Sequence, residues 1–400
     1  MRKILAFLAL ASLAAAAGSR PKVRAITAFI EIDARNYEAQ YADTMRFLDG
    51  ARAAYRAAGF EVEGVRIVTQ PFPRYIGEMK PEEALGFLHK LDELATRLKF
   101  APNIGAAMLN DGDSTATLDT LAHALATTRL NASLVIAGED GIHWRAIGEA
   151  ARLVKKVAAL SPHGRGNLNF AVTAMVKPFG PFYPGAYHLG SGHAFAVGLE
   201  GAGVVAEVFA QYHEPREAEK QLTAVLGRHM RDAEAVAAKV ASSSGWNYAG
   251  IDPTPAPLGE VSIGRAIESF VGGPFGSSGT MTAARIITAA VQAAPVKRTG
   301  YSGLMVPILE DNVLARRWAE GTFNIDSLLA YSAVCAGGLD TVPLPGDISE
   351  ERLARIYGDV ATLAYKWNKP LAARLLPVPG GKPGDRTDFG DVRMSDTVIR

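Results

Sequence analysis

The sequence predicts an α/β fold, barrel-like, with parallel strands buried among surrounding helices. Segments with strand character alternate with segments of helical spacing along most of the chain. Several of the strands are continuous apolar runs, which is typical of strands covered on both faces. The composition fits a packed globular protein, because 48% of the 400 residues are hydrophobic and 21% are charged.

Each element follows from a local pattern. Residues 24–33 are rich in β-branched and aromatic side chains and predict a strand. Residues 37–58 have apolar positions at helical spacing and end before Gly59, a residue that favours helix C-termini. Pro81 stands at the start of a helix, where proline is accommodated. Further strands are predicted at 61–69, 131–137, 167–176 and 194–199, short apolar runs at 248–251, 304–308 and 372–378, and helices at 81–99, 115–129, 144–160, 214–240, 262–270, 280–293, 311–320 and 350–367.

The first residues predict a signal peptide over residues 1–17. A short basic start, Arg2 and Lys3, precedes an apolar run over 4–17 that ends in three alanines before Gly18. A membrane anchor or a buried helix is the alternative, but the run is shorter than the ~20 residues that a spanning helix needs. We therefore expect an exported protein, periplasmic or secreted, in which 18–400 form one barrel-like domain with a Gly/Pro-rich tail at 377–400.

The net charge and the cysteine content limit the partners and the covalent cross-links that this chain is expected to have. The formal net charge is +1, so no strong field attracts nucleic acid or an anionic membrane. No later run of 18 apolar residues occurs, so no membrane association is expected after signal cleavage. Cys335 is the single cysteine and cannot form an internal disulfide.

The segment Ala-Gly-Glu-Asp-Gly-Ile-His-Trp follows a predicted strand and carries Glu139, Asp140 and His143. Polar residues at the carboxyl end of a buried strand are where α/β folds build sites. These three side chains are candidates for acid–base work or for binding a divalent metal. A helix cap by Asp140, with a solvated Glu139, explains them equally well.

His188 and His193 flank the turn Gly190-Ser191-Gly192, which lets a backbone approach a substrate closely. They are candidate substrate-binding residues. Two histidines alone are a weak metal signal, because a catalytic zinc site uses three protein ligands. Ordinary hydrogen-bonded loop histidines are the alternative.

The helix at 280–293 is opened by Gly-Ser-Ser-Gly-Thr. Free N–H groups at a helix N-terminus can hold a carboxylate or a phosphate, which makes Ser277, Ser278, Gly279 and Thr280 candidate substrate-binding residues. Simple capping by one of the serines is the alternative. No Gly-Lys-Ser/Thr follows, so this is not a P-loop.

Asp252, Asp311 and Cys335 complete the candidates. Asp252 precedes stiffening prolines, which suits a positioned carboxylate or a turn-stabilising Asx contact. Asp311 is a further carboxylate for substrate binding or acid–base chemistry. Cys335 is either a buried hydrophobe or a guarded thiol that lines the site. We expect these scattered loops to gather around one cavity.

Seven segments resemble a known family when they are read in order. They are PFGPFYPGAYH, HAFAVGLEGAGVVAEVF, GIDPTPAP, GGPFGSSGTMTAARIITAA, PILEDN, YSAVCAGGLDTVPLPGD and RLLPVPGGKPGDRTDFGD. Together they resemble domain of unknown function 711, over about residues 23–391. The resemblance implies a barrel related to pyruvate formate-lyase and other glycyl-radical enzymes, and a homodimer, but carries no agreed activity.

Radical chemistry does not follow from this resemblance. Cys335 falls where the family has a cysteine, but no Arg-Val-x-Gly-Tyr signature lies near the C-terminus. Export would also separate the chain from a cytosolic activating enzyme. We therefore expect the barrel to serve other chemistry.

Three functions remain open. The first is an enzyme of lyase, isomerase or hydrolase type that acts on a small polar or carboxylate-bearing substrate, with Glu139, His143, Asp252 and Cys335 as catalytic candidates. The second is a periplasmic binding protein without catalysis, and the third is a structural homodimer with a vestigial site. A nucleophile elbow, His-Glu-x-x-His, a dinucleotide GxGxxG after a strand, and CxxC are all missing from the sequence, so common hydrolase and redox classes have no motif support.

Overall fold

The computed structural model describes residues 20–400. The signal peptide predicted at 1–17 lies outside the described residues. The strands are β1 (Lys22–Ile30), β2 (Val65–Thr69), β3 (Ala101–Ala106), β4 (Asn131–Gly138), β5 (Gly141–Ile142), β6 (Phe170–Ala174), β7 (Ala194–Glu200), β8 (Asn247–Asp252), β9 (Gly338–Pro345) and β10 (Leu371–Val378). The helices are α1 (Tyr37–Ala57), α2 (Pro73–Ile76), α3 (Pro81–Leu98), α4 (Leu118–Thr127), α5 (Trp144–Leu160), α6 (Ala202–Gln211), α7 (Pro215–Ser244), α8 (Ile263–Val271), α9 (Thr280–Gln292), α10 (Asn312–Glu320), α11 (Ile325–Ser332) and α12 (Glu350–Trp367), with 3-10 helices at Pro162–Asn169 and Ile308–Glu310.

The ten strands of residues 20–400 belong to one mostly parallel sheet. Its order is β8-β7-β1-β2-β3-β4-β6-β10-β9, and the short β5 pairs with β4. The central strands β1, β2, β3, β4 and β6 are parallel to one another. The two outer pairs, β7 with β8 and β10 with β9, are each internally parallel but run antiparallel to the central strands. The expectation of an α/β sheet is therefore confirmed, while its strands run in two opposed sets.

The two edge strands are joined through an irregular segment, residues 297–307, which we call the edge segment. The amide of Ile251 on β8 donates to the Lys297 carbonyl at 2.8 Å. At the other end, Pro307 forms a parallel bridge with Asp340 on β9. Strands β8 and β9 do not pair with each other among the described residues, so hydrogen bonds between strands do not close the sheet into a barrel.

Two apolar layers lie on opposite faces of the sheet. The larger core packs the helices against the outer face and includes Tyr41, Leu153 and Tyr357. A smaller cluster on the inner face includes Phe182, Tyr301, Met305 and nearby small residues. The inner face therefore has room for charged side chains beside the apolar ones, and the site described below lies there.

Some strands and helices of the structure were not predicted from local sequence patterns. Strand β3 reads APNIGA, in which Pro102, Asn103 and Gly105 are poor strand formers. Strand β9 and helices α6 and α11 are also absent from the sequence-based assignment. Residues 304–308, an apolar run in the sequence, belong to the edge segment and its adjoining 3-10 helix instead of a strand. Among residues 20–400, no helix is both long and apolar enough to cross a membrane.

Candidate functional site

A cavity of about 1000 Å³ opens on the inner face of the sheet. It lies at the end where the central strands begin, since residues just before or early in β1, β2, β3, β4 and β6 line it. Seven of its lining side chains are Arg or Lys and four are Asp or Glu. The cavity therefore carries a net positive charge, which favours an anionic ligand. Its volume lies at the upper end of the range of small-molecule sites.

An ion network of Arg374, Asp340 and Glu310 forms one wall of the cavity. Arg374 on β10 donates from Nε to the Asp340 carboxylate on β9 and from Nη2 to Glu310 at 2.6 Å. A β-bulge places these groups, because Ala373 pairs with Leu339 but Leu375 pairs with Val342, so Asp340 and Thr341 together face Arg374. Thr341 has φ 49°, a strained value for a β-branched residue. The local backbone is thus distorted where the charged side chains point inward.

The two carboxylates of this network differ in their proton affinity. Burial raises the pKa of Asp340, and the neighbouring Arg374 offsets this only in part. For Glu310, burial is outweighed by Arg374 and Arg24, which hold its pKa below the ordinary value. Environments that push two carboxyl pKa values apart are a hallmark of acid–base pairs.

Arg24 on β1 extends the network toward the edge of the cavity. Its Nη1 lies 3.1 Å from the Glu200 carboxylate and 3.9 Å from Glu63, and its Nη2 lies 3.7 Å from Glu310. Burial and the neighbouring Glu200 carboxylate raise the pKa of Glu63 to about 7. The three carboxylates neutralise Arg24, which leaves it little capacity for a ligand anion.

Arg66 on β2 differs from the other inner arginines. It donates to the Pro181 carbonyl at 3.0 Å and its guanidinium carbon lies 4.7 Å from the centre of the Tyr183 ring. Within the described chain, no carboxylate oxygen lies within 4 Å of its guanidinium. Burial and the nearby Arg24 charge lower the pKa of Arg66 to about 10. A half-buried cation without a carboxylate partner within 4 Å is incompletely compensated, so a bound anion would stabilise it.

The segment with Glu139, Asp140 and His143 lies away from this cavity. Glu139 is solvent-exposed and its carboxylate is 3.7 Å from Lys177. The buried His143 ring has Nδ1 3.1 Å from the Val135 carbonyl and Nε2 3.0 Å from the Asp140 carboxylate. This hydrogen bond lowers the pKa of Asp140. His143 thus ties the β4–α5 turn together, and in residues 20–400 no three His, Cys, Asp or Glu side chains converge as a metal site would require.

Asp252 is fully buried and already bonded. Its Oδ1 accepts from the Thr254 hydroxyl at 2.6 Å and from the amide of Ser302, and its Oδ2 accepts from the Tyr301 amide at 2.7 Å. Gly300 must be glycine here, because a Cβ would lie 2.1 Å from Oδ2. Burial raises the pKa of Asp252 to about 6 despite these bonds. The carboxylate fastens the edge segment to β8.

Asp311 caps the N-termini of two helices. Its Oδ1 accepts from the amides of Val313 and Leu314 in α10 and from the Ser262 hydroxyl at 2.6 Å, and its Oδ2 accepts from Gly264 in α8. Burial raises its pKa. The two helix starts are therefore held together by one carboxylate.

His188 is buried, and neither ring nitrogen has a hydrogen-bond partner within the described residues. Its ring lies 5.3 Å from the Phe179 ring, and burial, with Arg74 nearby, lowers its pKa to about 4. His193 instead stacks on Trp246 at 4.8 Å on the surface. The two rings therefore make different contacts.

The Gly-Ser-Ser-Gly-Thr turn forms the start of α9 as expected. The Ser277 hydroxyl donates to the Pro274 carbonyl at 2.7 Å, the buried Thr280 hydroxyl accepts from the Gly276 amide, and Ser278 and Gly279 are exposed. Both bonded hydroxyls therefore stabilise the turn itself.

Cys335 lies between α11 and β9 and is buried in the outer core. Burial raises the pKa of its thiol, although the Lys369 charge is nearby. The Lys369 ammonium donates to the Ser332 carbonyl at 2.7 Å. The thiol does not line the cavity, whereas Met305 of the adjoining edge segment does.

None of the site residues that the sequence singled out is among those that line the cavity. Their catalytic and binding roles stay predictions. The cavity residues Arg24, Arg66, Asp340 and Arg374 were not singled out from the sequence, because each lies in a predominantly apolar strand. The available signal was a charged residue inside an apolar run, as in LAARLLPV and GLDTVPLP.

Comparison with known proteins places this chain among its relatives. It is 34% identical over 346 residues to a UPF0210 protein of Pyrobaculum aerophilum, which covers 82% of this chain and 75% of that protein. It is 32% identical over 326 residues to a UPF0210 protein of Methanopyrus kandleri, covering 77% and 72%. A UPF0210 protein of Pyrobaculum arsenaticum is 34% identical over 296 residues, and the alignment spans 71% of this chain and 65% of that protein.

The same assignment follows from the family comparison. Residues 17–391 match the family described as Uncharacterised ACR (DUF711), which is nearly the whole chain. The resemblance of the seven sequence segments is therefore confirmed, and this chain belongs to the DUF711 (UPF0210) family.

Proposed function

We propose that this chain is an enzyme that binds a small anionic molecule in the inner cavity and moves a proton on it, as a lyase or isomerase does. The observation that carries the proposal is the Arg66 guanidinium, which lines the cavity without a carboxylate partner. A ligand carboxylate or phosphate would supply the missing counter-charge through a charge-assisted pair of hydrogen bonds.

Glu310 and Asp340 supply the proton chemistry in this proposal. Glu310, whose pKa is lowered, is the base, and Asp340, whose pKa is raised, is the acid. Arg374 contacts both carboxylates and holds them on the same wall of the cavity. A divalent metal is not part of this proposal, since the acid and the base are side chains of the chain itself.

Calorimetry with the purified protein tests the binding step. Linear monocarboxylates and inorganic phosphate are the probes, and Arg66→Gln is expected to weaken the binding of any that bind by about tenfold or more. Arg46→Gln is the matched control, because Arg46 is an exposed arginine on α1 that pairs with Asp43. Equal binding by wild type and Arg66→Gln would refute the proposed site.

Deuterium exchange tests the proton step. A bound carboxylate probe is incubated with the protein in heavy water, and NMR follows deuterium uptake at the carbon next to its carboxylate. Wild type should catalyse exchange, while Glu310→Gln and Asp340→Asn should lose it and still bind the probe. Binding without exchange would favour the second candidate, a binding protein without catalysis.

A more specific assignment of the fold is also part of the proposal. We propose that the curved sheet is a barrel of the pyruvate formate-lyase type, used without radical chemistry. Two opposed sets of parallel strands, and an edge segment that contacts both sheet edges, support it. An experimental structure in which the two edges diverge would contradict it.

Export and dimerisation are proposals of the same kind. The basic start and apolar run at 1–17 support export, which mass spectrometry of the mature N-terminus would test. Exposed Trp144 and Trp367, 63% and 59% accessible, support an interface between two copies. Light scattering would test the dimer, and a monomer at all concentrations would refute it.

A further inference from the structure

The C-terminal residues 382–400 fold back onto the body of the protein as a hairpin-like arm. The amide of Thr387 donates to the Thr397 carbonyl at 2.8 Å, and Arg386 forms an antiparallel bridge with Val398. The arm is anchored on α10, where the Trp318 indole donates to the Val398 carbonyl at 2.9 Å. These anchors place the tip of the arm, residues 389–394, at the mouth of the cavity, where it lines the opening.

The tip carries one arginine, and that arginine is paired within the tip. The Arg393 side chain donates from Nε and Nη2 to the two Asp391 oxygens at 2.9 and 2.5 Å, and the Arg393 amide donates to Asp391 at 3.0 Å. The Arg393 side chain is 66% exposed. Its charge also helps to hold down the pKa of Glu310, so it lies within electrostatic range of the inner network.

The mouth of the cavity has further cations that form no ion pair within 4 Å among the described residues. Lys99 and Arg165 line it, and within residues 20–400 neither has a carboxylate oxygen within 4 Å. The lining also contains apolar side chains, among them Phe100, Leu168 and Phe182. The cavity thus has a cationic group at Arg66 on the sheet and further cationic groups at its exposed mouth.

We infer that the ligand carries two anionic groups, and that Arg393 binds the second one at the mouth, with Lys99 and Arg165, by exchanging its Asp391 partner for the ligand. This inference rests on the proposed function, because the first anionic group is the one assigned to Arg66. The substrate class is then a small dicarboxylate, or a carboxylate that also bears a phosphate. Asp391 serves as the counter-ion of Arg393 when the mouth is unoccupied.

Paired probes test the inference. Succinate, glutarate and adipate are compared by calorimetry with butyrate, pentanoate and hexanoate, which keep the chain length but lack the second carboxylate. In wild type we expect at least one dicarboxylate to bind about tenfold tighter than its monocarboxylate. Arg393→Gln should remove that advantage and leave monocarboxylate binding unchanged. Asp391→Asn should strengthen dicarboxylate binding only, because it removes the competing carboxylate.

Arg386→Gln is the matched control, because Arg386 is an exposed arginine on the same arm that does not line the cavity. It should bind both probe classes as wild type does. If Arg393→Gln weakens both classes equally, or neither, the second anionic group is not bound there and the inference fails while Arg66 retains its role. If no probe depends on Arg66, the proposed function fails and the inference fails with it.

Discussion

Arg374 donates from Nε to the carboxylate of Asp340 on the neighbouring strand, where the two side chains are only 9% and 5% exposed. Glu310 accepts from the same guanidinium. A buried ion pair of this kind contributes little net stability compared with a well-packed apolar pair, yet losing one partner leaves an uncompensated charge. The network therefore reflects the requirements of the cavity more than those of the fold.

Asp340→Ala tests this relationship. We expect the free energy of unfolding to fall by about 3–5 kcal/mol, because Arg374 keeps a buried charge with one partner fewer. Urea denaturation measures it, and the double variant Asp340→Leu/Arg374→Met should recover most of the loss. Glu260→Ala removes an exposed partner of Arg265 and should cost less than about 1 kcal/mol. A similarly small effect of Asp340→Ala would mean that water reaches the network freely.

Asp252→Ala separates a structural role from a catalytic one. The change strips buried amides of Tyr301 and Ser302 of their acceptor, so we expect a loss of about 2–4 kcal/mol in unfolding free energy. Thermal unfolding and probe binding should decline together. A variant with wild-type stability and no deuterium exchange would instead assign Asp252 the catalytic role that the sequence suggested.

Glu63 predicts a pH dependence of stability. Its pKa in the folded state is about 7, above the ordinary value of 4.5, so the folded state keeps a proton that the unfolded state has already released in that window. The free energy of unfolding should therefore fall as pH rises from 4.5 to about 7. Glu63→Gln should reduce that fall by an amount on the order of 2 kcal/mol. Parallel stability profiles for the two proteins would contradict the assignment.

Cys335 should behave as a structural thiol. It is 2% exposed and burial raises its pKa, so little reactive thiolate is present at neutral pH. We expect a thiol reagent to label native protein slowly and urea-unfolded protein at once. Cys335→Ala should retain deuterium exchange at the wild-type rate. Rapid labelling of the native protein, or lost exchange in the variant, would restore the thiol as a site residue.

The sequence predicted those parts of the fold whose signals are local. Trp144–Leu160 has the same bounds in prediction and structure, because its apolar spacing is regular and buries one face. Strand β3 was missed because Asn103 and Gly105 serve a different purpose, as the Asn103 side chain bonds the Gly105 amide and the Pro184 carbonyl. The reversed direction of β7 and β10 depends on long-range pairing, which no local pattern encodes.

The cavity could not be predicted in the same way. Arg24, Arg66 and Arg374 come from three strands that are distant in sequence, and only the strand order brings them to one face. Asp252 and Asp311 were recognisable as positioned carboxylates, but sequence could not show that backbone amides already saturate them. A carboxylate in a turn has the same local pattern whether its partners are amides or a substrate.

The edge segment has a consequence for solubility. A sheet whose outermost strands keep free N–H and C=O groups is a template on which other chains can add strands and aggregate. Residues 297–299 occupy the outer side of β8, and 304–307 contact the beginning of β9. Neither margin is left open along these contacts, so the protein is protected there against the intermolecular strand addition that leads to fibrils.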